Sequence, residues 1–148
     1  MIRTDKRLRI CSCLLALLLI FIWGNSMLPG EISQAFSDWV KEMLTKLLPG
    51  REKDVVRQSG GLLRKIAHFT EFTALGALLG WLFGMLKKRK WNPILGGMAA
   101  ACVDETIQGF VPGRSPGLKD VAIDTAGVVT GFVLLLIGYT VIKKKHKT

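Results

Sequence analysis

Four long apolar blocks dominate this chain, and the ionisable residues that break into them constrain its fold most. The blocks run over about 8–24, 67–86, 93–111 and 121–142. Each is close to the roughly 20 residues that carry an α-helix across a bilayer's hydrocarbon core. Asp104 and Glu105 interrupt the third block, His68 and Glu71 open the second, and Asp120 and Asp124 open the fourth. A charge near the bilayer centre costs roughly 2.5 to 3.5 kcal/mol even on the most lenient insertion scale. Residues kept at that cost face one another, a water-filled cavity or a ligand. Function is therefore sought in this polar cluster.

At 148 residues and 49% hydrophobic the chain could form one soluble domain. Long blocks in place of short periodic runs favour a small helical membrane protein. The net charge of +10 does not point to nucleic acid. The bases gather at Arg3 to Arg9, Lys87 to Lys90 and Lys143 to Lys147, with no interleaved aromatic but Trp91. Such clusters mark cytoplasmic loop ends. The expected fold is all-α: a single domain over 1–148, with four transmembrane helices and one outer amphipathic helix. Both termini are expected in the cytoplasm. The first block also resembles a signal peptide, with Gly24 and Ser26 as small residues after it. An uncleaved first span is preferred because it keeps all later charges in phase. Cys11 and Cys13 are too close in sequence for ordinary disulfide geometry, and with Cys102 they read as small apolar fillers.

After the first block, Pro29-Gly30 and Pro49-Gly50 bracket a segment of about 31–48. Ile32, Phe36, Trp39, Val40, Met43 and Leu47 follow helical spacing, while Ser33, Ser37, Asp38, Lys41 and Glu42 fill the other face. This amphipathic helix is expected on the outer membrane surface or across the outer end of the bundle, as a packing lid. Residues 51–61 read as a linker. Gly76, Gly80 and Gly84 form a smooth strip on the second span, as do Gly127 and Gly131 on the fourth. The first strip is expected to pack within the chain, with a homo-oligomer as the second possibility.

In this topology Lys65, His68, Glu71, Asp104, Glu105, Gln108, Arg114, Asp120 and Asp124 all fall toward the outer membrane face. Lys65 and His68 share a helical side, as do Asp104 and Gln108, and Asp120 and Asp124. A convergent polar site between helices is the functional expectation. The structural alternative is that Arg114 and Lys65 pair with the aspartates and fix the bundle. Five acids against two bases and a histidine leave excess negative charge. Either some carboxyls keep their protons, or a cation or cationic ligand group completes the site. His68 and the carboxylates could serve a divalent ion as ligands. His-x-x-Glu is a weak signal, however, and no zinc-type Cys/His spacing exists, so no metal or cofactor is expected. Ser115 lies near Asp120, but nothing marks it as a nucleophile.

The segments that carry these residues also carry a resemblance. RKIAHFTEFTALGALL at 64–79 and DETIQGFVPGRSPGLKDVAIDTAGVVTG at 104–131 look like the two hallmark segments of VanZ-like membrane proteins. NSMLPGEISQAFS at 25–37 is similar to the family's serine-rich stretch after its first span, although Met27 and Leu28 stand where relatives often have more polar residues. The positions that match the family's shared residues are Lys65, His68, Phe69, Asp104, Glu105, Gln108, Gly113, Arg114, Asp120, Asp124 and Gly127. The resemblance implies a multi-pass protein of the bacterial plasma membrane. The family's namesake is an accessory protein of glycopeptide resistance, linked to teicoplanin rather than vancomycin.

The leading functional expectation is non-enzymatic: the polar cluster engages an amphiphile of the cell envelope. Candidates are a lipid-linked cell-wall precursor or a lipid-tailed glycopeptide such as teicoplanin. Its tail would lie among the glycine-smoothed helices and Arg114 would meet a phosphate or carboxylate. The rival is a metal-dependent membrane enzyme acting on a phosphorylated lipid, with His68 as general acid or base.

Overall fold

A computed structural model describes residues 2–47 and 60–145. Among the described residues the chain is entirely helical, as the apolar blocks require of backbone with no water to bond. The helices are α1 (Ile2–Ser26), α2 (Gly30–Leu47), α3 (Gly60–Met85), α4 (Asn92–Gly109) and α5 (Leu118–Lys145). Most of the expected linker at 51–61 lies outside the described residues; Gly60 and Gly61 instead open α3.

Among the described residues, three helices are long and apolar enough to cross a membrane: Lys6–Ser26 of α1, Gly61–Met85 of α3 and Leu118–Lys145 of α5. The fourth expected span does not reach that standard. Its helix, α4, has 18 residues, about 27 Å at ~1.5 Å per residue, and Asp104, Glu105 and Gln108 fill its last two turns.

The central helix is α3, which touches every other described helix. A third of its apolar window is buried, against 11% for α1. Its closest neighbour is α5, and glycine makes the approach possible. A Cβ on Gly76 would overlap the Val128 carbonyl, and one on Gly131 would overlap the Thr73 carbonyl. One on Gly127 would come within 2.6 Å of the Phe69 carbonyl oxygen. Lipid tails are as apolar as leucine, so such backbone contact replaces the hydrophobic effect as the packing force. Gly80 likewise meets Phe132 and Leu135 of α5, whereas Gly84 faces open space. Phe72, Leu75, Ala101, Val128 and Ile22 complete the buried core. Cys11 of α1 is also buried, its Sγ 3.6 Å from the Leu78 carbonyl oxygen.

The turn after α3 shows how the chain reverses. Lys87 adopts φ 52°, and the Lys88 N–H reaches back to the Phe83 carbonyl at 3.0 Å. These are marks of a left-handed helix C-cap. Pro93 then opens α4 in its first turn, where a missing N–H costs nothing.

Helix α2 packs the opposite way from a lid on a soluble core. Ser37 and Lys41 are buried, while Ile32, Phe36, Trp39 and Met43 are about half exposed or more. The Phe36 and Trp39 rings stack with centroids 5.9 Å apart on that outward side. Its start is pinned by Gly30, whose N–H donates to the Pro112 carbonyl at 3.1 Å. Gly113 sits at φ +74° against Gly30. A side chain at either glycine would strain the turn or strike backbone.

Candidate functional site

The polar residues converge at one end of the bundle, where α1 finishes, α3 and α5 begin, and α4 runs into the 110–117 turn. His68 is on α3, Asp104 on α4 and Asp124 on α5, and all three are buried. One ligand-capable atom from each lies within 4.8 Å of the others. His68 Nδ1 is 3.8 Å from Asp104 Oδ2.

Gln108, one turn beyond Asp104, organises the carboxylates. Its Nε2 donates to Asp104 Oδ2 at 2.8 Å and reaches Glu105 Oε1 at 3.3 Å and Ser26 Oγ at 3.5 Å. Glu105 Oε2 accepts the Gly117 N–H at 2.8 Å, tying α4 to the approach of α5. Glu71 Oε1 accepts from Asn25 Nδ2 at 3.3 Å. Among the described residues, four buried atoms are left without a hydrogen-bond partner: His68 Nδ1, Glu71 Oε2, Asp104 Oδ1 and Asp124 Oδ2. Such atoms are uncommon in folded proteins, and each is expensive.

Lys65 and Asp120 stand at the rim, partly exposed, with Nζ 3.8 Å from Oδ1. Beneath them a crevice of about 10 Å³ is lined by Arg64, His68, Gln108 and Asp124. That is room for about one water or one small ion.

Arg114 serves differently from the expectation. Its Nε donates to the Leu28 carbonyl at 3.1 Å and its Nη2 to the Asn25 carbonyl at 3.0 Å. The fork that was expected to meet an anion instead satisfies carbonyls where α1 ends, groups that always need partners. Burial, and then the nearby positive Arg64, pushes the Arg114 guanidinium down from its ordinary value, but an arginine stays charged in proteins.

The matching family is VanZ/LLP1, whose family model covers residues 11–139. The chain belongs to the VanZ/LLP1 family. No curated protein and no solved structure matches it. The match takes in every residue of the polar cluster in this VanZ/LLP1 chain, and also two that sequence reasoning left out of the site. Asn25 and Ser26 hold Glu71 and Gln108. The only sequence signal for them was the family-like stretch that begins at Asn25.

The other end of the bundle is unlike this one. A groove of about 640 Å³ opens there, lined by Trp81, Gly84, Met85, Leu135 and Tyr139, with Arg7 the charged group on its wall. The basic residues Lys87 to Lys90 and Lys143 to Lys145 cluster at the same end.

Proposed function

We propose that this VanZ/LLP1 protein crosses the bacterial plasma membrane four times, with both termini cytoplasmic, and engages an amphiphilic envelope ligand. The basic clusters at the end opposite the acidic site support the orientation. Although α4 falls short on apolarity, it is packed against α1, α3 and α5, a setting that tolerates polar residues at membrane depth. The ligand class is a lipid-linked cell-wall precursor or a lipid-tailed glycopeptide such as teicoplanin.

The observation that carries the reading is the groove. It is apolar, it lies on membrane-spanning helices, and Gly84 leaves it open. Gly80 lies twelve residues along α3 from His68, about 18 Å. A long acyl or polyprenyl tail laid in the groove reaches that distance. The headgroup would then meet the rim residues Lys65 and Asp120, since the crevice below is too small for it.

The test is susceptibility to teicoplanin and to vancomycin in a sensitive Gram-positive host that expresses this chain. The reading expects protection against the tailed drug alone, lost in Gly84→Leu, which fills the groove. Equal protection against both drugs would overturn the tail-based reading.

The rival, a metal-dependent enzyme acting on a phosphorylated lipid, draws support from the closeness of His68, Asp104 and Asp124. Divalent-metal-dependent release of phosphate from such a lipid by the purified chain would favour it over simple binding.

A further inference from the structure

We propose that His68, Asp104 and Asp124 hold one divalent transition-metal ion at the closed end of the bundle. The inference rests on the geometry of that end and holds whichever functional reading is right. Three separate helices each supply one ligand-capable atom, and these lie within 4.8 Å of one another. Bonds of about 2.0 to 2.2 Å to one tetrahedral ion place ligand atoms roughly 3.3 to 3.6 Å apart. The widest separation the site allows exceeds that by about 1.2 to 1.5 Å, a gap that side-chain rotation on the three helices must close.

The carboxylates are poorly served without an ion. Asp104 is 0% exposed and Asp124 1%. Among the described residues neither forms an ion pair with a lysine or arginine. Asp104 Oδ1, Asp124 Oδ2 and His68 Nδ1 all lack hydrogen-bond partners. A proton shared between the two aspartates would relieve their charge, yet it would leave His68 Nδ1 without a partner. One cation bound by these three side chains would give the buried cluster the positive partner it lacks.

The surroundings suit an ion rather than an organic group. The crevice that His68 and Asp124 line, beside Asp104, holds about 10 Å³, enough for one ion or water. Gln108 donates to Asp104 Oδ2 at 2.8 Å, the kind of contact that aims a ligating carboxylate and fixes its rotamer. One imidazole with two carboxylates selects zinc or manganese over calcium or magnesium, which prefer all-oxygen shells. Three protein ligands leave a coordination position open toward the rim. Gln108 is thus a positioning residue for the ion.

The experiment uses the full chain in mild detergent, stripped with a chelator and titrated by calorimetry with Zn²⁺ alone and with Mn²⁺ alone. One ion per chain is expected. Gln108→Leu should weaken binding about 10- to 100-fold, and Asp124→Asn by more, with helical circular dichroism unchanged. Because an aspartate variant could fail to fold, the unfolding midpoint of the unaltered chain is measured with and without the ion, and a rise is expected. An unaltered, folded chain that binds neither ion and shows no rise would overturn the proposal. So would a folded Asp124→Asn that binds as tightly as the unaltered chain. Neither result bears on lipid binding, so this proposal and the amphiphile reading can fail separately.

Discussion

The two ends of the bundle divide polar from apolar recognition. At one end, Glu105, Asp120, Asp124, His68 and Gln108 from three helices close around a crevice of about 10 Å³. At the other, a groove of about 640 Å³ opens between α3 and α5, with Arg7 on its wall. The contrast follows from packing. Gly76, Gly127 and Gly131 bring α3 and α5 into backbone contact through the middle of the bundle. Past Gly80 that contact lapses, and Gly84 and Gly138 have nothing within 4 Å. The helices touch tightly below the polar site and part at the basic end. One region therefore fits a small ion and the other a long tail.

Three tests sharpen or break this comparison. The largest effect is expected from Gly131→Leu, whose side chain would start inside the Thr73 carbonyl. Overpacking at backbone costs upward of about 3 kcal/mol, so the unfolding midpoint in detergent should collapse. Gly138→Leu, in open space, should leave the midpoint in place. Equal tolerance of both would remove the packing explanation for the difference between the ends.

Next comes Arg114→Met. It removes two charge-assisted hydrogen bonds to the Asn25 and Leu28 carbonyls at the end of α1, together worth about 3 to 6 kcal/mol. Arg114→Lys should recover only part of the loss, because an ammonium lacks the planar fork. If Arg114→Met kept full thermal stability but lost ligand binding, the anion-binding role expected from sequence would return.

The smallest effect lies on α2, away from both ends. The hydrogen bond from Lys41 holds the Asp38 carboxyl below its ordinary value of 3.8. A depressed folded pKa gives stability that is present above the unfolded pKa and lost as pH falls through the folded one. The unaltered chain should therefore soften slightly below pH 3.8, and Asp38→Asn should abolish that slope. An identical acid profile for both would remove the Asp38–Lys41 pair as the source of the softening.

Much of the architecture was legible because apolar runs of bilayer length leave the backbone no choice but helix. The glycine strips were legible for the same reason: small residues four apart make a flat face whatever they pack against. Helix α3 starts at Gly60, ahead of the apolar span at about 67, because Arg64 and Lys65 break the hydropathy without breaking the helix. The facing of α2 was not legible. Amphipathic spacing names two faces but not which one turns inward, and here Ser37 and Lys41 do, leaving Phe36 and Trp39 facing out.

The site was half legible. Acids in apolar blocks announced that a polar cluster exists, and the antiparallel course of the helices put its members at one end. No local spacing relates residues 68, 104 and 124, so their meeting as a ligand set belongs to tertiary structure alone. The use of Arg114 was hidden as well. Sequence lists the charges available to it, but the backbone carbonyls at the end of α1 compete for it only once the fold exists.

The central claim is that ion and tail occupy opposite ends independently. Native mass spectrometry of the detergent-purified chain, with Asp124→Asn and Gly84→Leu beside it, reads bound ion and bound lipid in one measurement. The account predicts that Asp124→Asn loses the ion and keeps the lipid, and that Gly84→Leu loses the lipid and keeps the ion. Folded variants that each lose both, or that each retain both, would contradict it.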